Sequence, residues 1–275
     1  MTPWKTAPLV AIDTETTGID VETARVWELA AVYSGGRRDG LTTSVRINPT
    51  IPIPAEVVEL CGLTAADLEE IAHAYTFAPP CHGVQIPDGA VVCSYNGIAY
   101  DWPVLRAEHR RVGITFDPEW PGPSIDVLVC FRHLAPYWSG RYKLAEVAER
   151  VCPDACGVAH RAAADCVMTL SILRAIQHDL PDDLDDLVAL QAGWAVEQAA
   201  DYATFGRWLC FDRSRDDNHR LRMRGGKKYR GMLLADVPAG YKAWVLAEGG
   251  KYGGPLTPAT RVALGGGQGA LGLEG

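Results

Sequence analysis

Asp13 and Glu15 stand two residues apart where the apolar run Pro8-Leu9-Val10-Ala11-Ile12 ends. Such a run predicts a strand, and the two-residue period of a strand sends both carboxylates to one face. Two acids so close repel each other and are costly unless something cationic lies between them. Hard oxygen ligands favour Mg²⁺ or Mn²⁺ for that place. Taken alone, the pair fits solvated strand-end acids equally well.

Two more groups have types suited to the same chemistry. In Tyr95-Asn96-Gly97-Ile98-Ala99-Tyr100-Asp101, a polar cluster leaves a buried strand and enters a helix whose first turn holds an acid. Asp101 could equally cap that helix ahead of Pro103. In His160-Arg161-Ala162-Ala163-Ala164-Asp165, small residues between a histidine and an acid let a helix approach another backbone closely. An imidazole with an ordinary pKa near 6.5 can accept a proton at neutral pH; the alternative is a structural histidine beside an exposed acid. Strand end, helix start and helix together could bring four carboxylates and one base to one place.

Those elements are legible as patterns. Strands are predicted over Pro8 to Asp13, Val26 to Tyr33 and Thr42 to Ile47, with a Gly35-Gly36 turn that suggests an antiparallel start to a sheet. Ala90 to Tyr95 reads as another buried strand. Helices are predicted over Ala55 to Leu60, over Ala65 to His73 with Thr64 as cap, and after Tyr100 with Pro103 in the first turn. Two more are predicted over Lys143 to Val151, with an apolar stripe of Leu144, Val147, Ala148 and Val151, and over His160 to Ile176. The Asp-rich stretch from Pro181 to Asp186 reads as a boundary. The expected organisation is a catalytic domain over 1–180, an acidic helical linker over 181–206, a small basic module over 207–248 and a disordered Gly-rich tail over 249–275.

Composition narrows the class. At 48% hydrophobic and 22% charged residues, the 275-residue chain is ordinary for a globular protein. It has no long apolar run and its start lacks the apolar stretch of a secretory signal, so no membrane span and a cytoplasmic enzyme are expected. The eight cysteines are scattered and read as reduced thiols. Cys152 and Cys156 with His160 could ligate zinc, but no second pair has matching spacing. A net charge of −8 argues at first against a nucleic-acid partner, yet Arg207 to Arg230 holds nine Lys/Arg and three Asp/Glu, a balance of +6 that leaves −14 for the rest. An acidic catalytic body joined to a basic contact segment would have this asymmetry, and so would a solvated basic face.

The order Asp-x-Glu, then Asp, then His-x₄-Asp resembles the DnaQ-like DEDDh 3′→5′ exonuclease family. The matching residues run from Val10-Ala11-Ile12-Asp13-Thr14-Glu15-Thr16-Thr17-Gly18 through Ile53-Pro54-Ala55-Glu56-Val57-Val58, Gly62-Leu63-Thr64, Asn96 with Asp101, Lys143-Leu144-Ala145-Glu146, and His160 with Asp165, covering about residues 8 to 178. Tyr95 stands where the family usually has a histidine, Asn96 lies five steps from Asp101 instead of four, and Cys61 takes another common histidine position. Gly226-Lys227-Lys228-Tyr229-Arg230-Gly231 with Tyr241-Lys242-Ala243-Trp244 resembles the small module that ends the exodeoxyribonuclease X type.

The resemblance implies an α/β fold, a ribonuclease H-like mixed sheet flanked by helices, plus a small C-terminal module. It implies hydrolysis with two Mg²⁺ or Mn²⁺ ions held by Asp13, Glu15, Asp101 and Asp165, with Asp13 bridging and His160 as general base. Thr14, Thr16 and Thr17 would line a 3′-terminal pocket, with Asn96 and Cys61 near the terminal nucleotide, and the product would be a nucleoside 5′-monophosphate. Single-stranded nucleic-acid 3′ ends are the expected partner, DNA over RNA, with Lys227, Lys228 and Arg230 contacting the strand. Alternatives are a ribonuclease T-like RNA-trimming enzyme, a polymerase-bound proofreading subunit, for which Gln268 to Leu273 faintly resembles a clamp-binding peptide, and a non-catalytic binding protein. A homodimer is compatible with the family.

Overall fold

The computed structural model describes residues 3–78, 84–115, 120–136, 142–155, 160–206, 208–211, 221–225, 228–253 and 256–265. Cys81, Cys156, Lys227 and the segment Gln268 to Leu273 lie outside the described residues. The chain divides into two compact units. The first takes in residues 1–131 and 140–191, the second 132–139 and 192–275.

The first unit is built on a five-stranded sheet. Its strands are β1 (Leu9–Thr16), β2 (Val26–Ser34), β3 (Thr42–Arg46), β4 (Val91–Ser94) and β5 (Ser124–Asp126), in the order β3-β2-β1-β4-β5. β1 pairs antiparallel with β2, and β2 with β3, while β4 and β5 continue the sheet in parallel. This is the expected mixed sheet with three antiparallel leading strands. β2 is buried along its whole length, so its sequence, Val-Trp-Glu-Leu-Ala-Ala-Val-Tyr-Ser, reads as a continuous apolar run interrupted by one acid, Glu28.

Helices lying wholly or mostly in the first unit are α1 (Ala55–Cys61), α2 (Ala65–His73), α3 (Asp101–Arg111), α4 (Val127–Leu134), α5 (Leu144–Val151) and α6 (Ala162–Ile176). Thr64 and Asp67 close the expected capping box at the start of α2. The packing that matters most for function is α6 across β1 and β2. It is close because the facing residues are small: Ala162 and Cys166 on α6 and Ala30 and Ala31 on β2 are all fully buried. The Cys166 thiol donates to the Ala30 carbonyl at 3.7 Å. Further along α6, Met168, Ile172 and Leu173 are buried, each stabilising the packing by roughly 1.5–3 kcal/mol.

α3 is fixed by Glu108, a fully buried acid near its end. Glu108 accepts from Arg25 Nε at 2.9 and 3.2 Å and from the Val26 amide at 2.9 Å, which ties the helix to the start of β2. The N-terminus closes on the same unit, with the Trp4 indole donating to the Pro181 carbonyl at 2.8 Å.

The stretch 181–206, expected to be an acidic helical linker, is mostly α7 (Leu184–Phe205), so its helical part is as expected. Asp183 accepts from the amides of Asp185 and Asp186, so the aspartates that suggested a boundary begin a helix. The second unit adds the hairpin β6 (Leu209–Phe211) and β7 (Leu221–Met223), α8 (Ala239–Gly253) and α9 (Pro258–Ala263). Its core holds Phe205, Trp208, Leu209, Met223, Val245, Leu256 and Leu264. The tail 249–275 departs from the expectation of disorder in its described part. Thr257 caps α9, and Leu256 and Leu264 bury on either side of it, a signal masked by the surrounding glycines. Among the described residues no helix is long and apolar enough to cross a membrane, and six cysteines are free thiols.

Candidate active site

β1 delivers Asp13 and Glu15 to the end of the sheet, and α6 lays Asp165 over it. The three offer ligand oxygens that all lie within 4.8 Å of one another. Cys152 and His160 join no ligand cluster among the described residues, and Cys156 lies outside them.

Asp101 is buried at the start of α3, 3% exposed, and held from β1. Its Oδ1 accepts from the Thr14 amide at 3.0 Å and the Thr14 hydroxyl at 2.6 Å. The loop ahead of it is shaped by Asp126, at the end of β5. The Asp126 carboxylate accepts from the amides of Asn96, Ile98, Leu128 and Val129 at 3.0–3.3 Å. Asn96 sits at φ +73°, in the left-handed region that asparagine tolerates. At Gly97 a Cβ would come within 2.2 Å of Ser94 Oγ, so only glycine lets the loop pass there.

His160 precedes α6 with φ +62°, a conformation that costs roughly 1–2 kcal/mol for a residue with a Cβ. Its backbone amide lies beside the Asp165 carboxylate and favours its ionised form. Burial, then the nearby Lys143 charge, holds the imidazole below its ordinary pKa, so the neutral, proton-accepting form is favoured.

The electrostatics describe a site short of positive charge. Burial, then the charges of Asp101, Asp165, Glu15 and Glu28, pushes Asp13 well above the usual carboxylate range. Burial followed by Asp165 and Glu28 raises Glu15 to about 8. Burial likewise raises Asp165 to about 7 and Asp101 to about 6, with hydrogen bonds opposing the rise in both. Asp165 Oδ1 is buried without a hydrogen-bond partner. Clustered hard oxygens, one of them orphaned, and raised acids are the environment that a divalent cation of the Mg²⁺ or Mn²⁺ type relieves. The residues present therefore fit such an ion.

The remaining expected site residues have observed places. Thr16 Oγ1 bonds the Gly18 carbonyl at 2.8 Å and pairs with the Tyr100 hydroxyl, and Thr17 Oγ1 accepts from the Arg25 amide at 3.0 Å. Together with Thr14, these hydroxyls hold the framework of the site. Cys61 is buried, and its thiol donates to Glu15 Oε2 at 3.7 Å, which puts it against a site acid. The Tyr95 hydroxyl donates to the Tyr142 carbonyl at 2.9 Å, next to Lys143. Lys228 and Arg230 belong to the second unit, where Lys228 stands 5.2 Å from the centre of the Tyr229 ring. Asp126, Tyr100 and Glu28 were not singled out from the sequence. The only signal for Asp126 was an acid directly before the apolar helical run 127–131.

Comparison with known proteins agrees with this geometry. The Exonuclease (RNase_T) family profile matches residues 10–173. An uncharacterised exonuclease of Escherichia phage 186 is 29% identical over 185 residues, 63% of this chain and 90% of the phage protein. The Bos taurus three-prime repair exonuclease 1 is 25% identical over 204 residues, 62% of this chain and 64% of the bovine one. A PolC-type DNA polymerase III of Mycoplasma pneumoniae is 27% identical over 135 residues, and the chain spans only 9% of its length. E. coli exonuclease I shares the fold, with TM-score 0.53 at 17% identity over 66% of this chain and 42% of that one. With the profile running from β1 through α6 and so spanning all five of Asp13, Glu15, Asp101, His160 and Asp165, the chain belongs to the Exonuclease (RNase_T) family, the DnaQ-like nucleases.

Proposed function

We propose that this chain is a two-metal-ion 3′→5′ exonuclease that releases nucleoside 5′-monophosphates, with single-stranded DNA as its preferred substrate. The observation that carries it is the convergence of Asp13, Glu15 and Asp165 within 4.8 Å, with an orphaned buried oxygen among them. Asp13, Glu15 and Asp165 would hold the metals, and Asp101 would complete the set from the start of α3. Bound Mg²⁺ or Mn²⁺ would lower the pKa of the attacking water and offset charge on the attacking and leaving oxygens. His160 would take the proton of the attacking water, a task suited to an imidazole whose burial and Lys143 neighbour favour its neutral form. Cys61, at the end of α1, donates to Glu15, and a terminal nucleotide would meet it and Asn96 of the β4–α3 loop.

The choice of substrate is supported by E. coli exonuclease I, which has been solved in complex with a dA16 oligonucleotide. In the second unit, Tyr229, Tyr241 and Trp244 form a row with ring centres 4.6 and 5.4 Å apart, flanked by Lys228 and Arg230. Aromatic faces with cations alongside hold single strands by stacking and by counterion release. Lys227, outside the described residues, is the cation next to Lys228 in sequence. A polymerase-associated proofreading role is a second reading, favoured by the likeness to a segment of PolC-type polymerase. Degradation of 5′-labelled DNA and RNA strands of equal sequence, with and without Mg²⁺, tests the activity. A faster DNA ladder supports the proposal, and a faster RNA ladder supports the RNA-trimming alternative.

A further inference from the structure

Two glutamates are buried in the first unit, and their surroundings differ. Glu108 is satisfied by Arg25 and the Val26 amide. Glu28 is 3% exposed and half satisfied: Oε1 accepts from the Ser44 hydroxyl at 2.7 Å, whereas Oε2 has no hydrogen-bond partner among the described residues. A buried carboxylate oxygen without a donor costs several kcal/mol (~1–3 for a neutral group, more for a charged one). Glu28 lies on β2 directly opposite Glu15 in the β1–β2 register, and its charge acts on Asp13, Glu15 and Asp165 alike. Among the described residues, Arg161 forms an ion pair with it, its Nε 3.7 Å from Oε2, beyond hydrogen-bond reach, and that Nε has no hydrogen-bond partner. Arg161 is the N-cap residue of α6, between His160 and the turn that carries Asp165.

We propose that Glu28 is a positioning residue of the metal centre: its unpaired Oε2 accepts a hydrogen bond from water carried by the bound cation, and Arg161 holds it there from the start of α6. The proposal rests on the metal-dependent reading above. It explains why an acid interrupts an otherwise apolar buried strand, and why one of its oxygens lacks a donor at the edge of a site short of positive charge. Groups that act on a metal through water commonly change its affinity 10–100-fold when lost.

The test uses the full chain, with Mg²⁺ titrated by calorimetry and melting followed in EDTA and in Mg²⁺. Glu28→Gln should melt at or above wild type in EDTA at pH 8, since one buried charge is gone. It should also bind Mg²⁺ on the order of 10-fold more weakly and gain less on adding it. Glu28→Asp keeps the charge and withdraws the oxygens, and should also weaken binding by at least about threefold. If Glu28→Gln does not fold, Glu28→Asp carries the test. A purely structural Glu28 would lower melting in EDTA and leave Mg²⁺ affinity within about twofold of wild type, which would overturn the proposal. Unchanged affinity in Glu28→Asp would overturn the water-mediated contact. Wild type that binds neither Mg²⁺ nor Mn²⁺ would instead overturn the metal-dependent reading itself.

Discussion

Glu15→Gln should stabilise the metal-free protein and destabilise the metal-bound one. The Glu15 carboxyl rises from an ordinary 4.5 to about 8, first through burial and then through Asp165 and Glu28. An acid raised in the folded state binds protons more tightly there than in the unfolded chain. Its contribution is therefore fully present below about 4.5 and is lost as the pH rises through about 8. The difference corresponds to roughly 5 kcal/mol if Glu15 bore it alone. Asp13 and Asp165 are raised over the same range and share the penalty, so about 2 kcal/mol is expected from one neutral substitution, or roughly 4–8 °C in Tm. At pH 4, below the unfolded value of 4.5, Glu15 is neutral in the folded chain and mostly neutral in the unfolded one, so the two proteins should melt alike. At pH 8.5 in EDTA the variant should melt higher, and with excess Mg²⁺ the order should reverse because a ligand is missing. Circular dichroism melts at the two pH values, with EDTA and then Mg²⁺, provide the readout. A variant that melts below wild type in EDTA at pH 8.5, or by the same margin at both pH values, would refute the crowded-acid argument.

Asp13→Ala should abolish activity and weaken Mg²⁺ or Mn²⁺ binding by calorimetry, and unchanged metal stoichiometry in an active variant would exclude Asp13 as the bridging ligand. His160→Ala should retain metal binding and lose roughly 10²–10⁴ in rate, and a rate within twofold of wild type would make His160 structural. Because His160 sits below its ordinary pKa, the wild-type rate should rise with pH through a midpoint under 6.5, and Lys143→Gln should move that midpoint up. Asp126→Ala should cost about 3 kcal/mol, since four amides, two of them buried, lose their acceptor, and should lower turnover by loosening Asp101. Substituting Lys228, Arg230 and Trp244 by alanine should raise KM for long strands and flatten its salt dependence while a dinucleotide is cleaved as before. A salt slope equal to wild type would detach the second unit from substrate binding.

The carboxylates were legible because their spacing follows strand and helix periods, which survive in one dimension. Asp13 and Glu15 share a face by the period of two, and Ala162 to Ala164 announced the close approach of α6. Asp126 and Glu28 were not legible, because their importance comes from partners 28 to 30 residues away and from a strand register that no local pattern records. Thr14 was noted for a pocket, but its hydroxyl and amide turn inward to Asp101 through an 87-residue separation. The second unit was read least well. Its glycines hid the capped α9, which was expected to be part of a disordered tail, whereas the helical stretch to Phe205 was legible and is α7.

The central claim is that these carboxylates drive metal-dependent removal of 3′-terminal nucleotides. A 5′-labelled single-stranded oligonucleotide incubated with the full chain and Mg²⁺ tests it most directly, with the products resolved over time beside those of Asp13→Asn. The expected result is a ladder that shortens one nucleotide at a time from the 3′ end, with 5′-monophosphates released, and that disappears in EDTA and in the variant. Immediate release of the labelled mononucleotide, internal cleavage, or a ladder that persists in EDTA would contradict it.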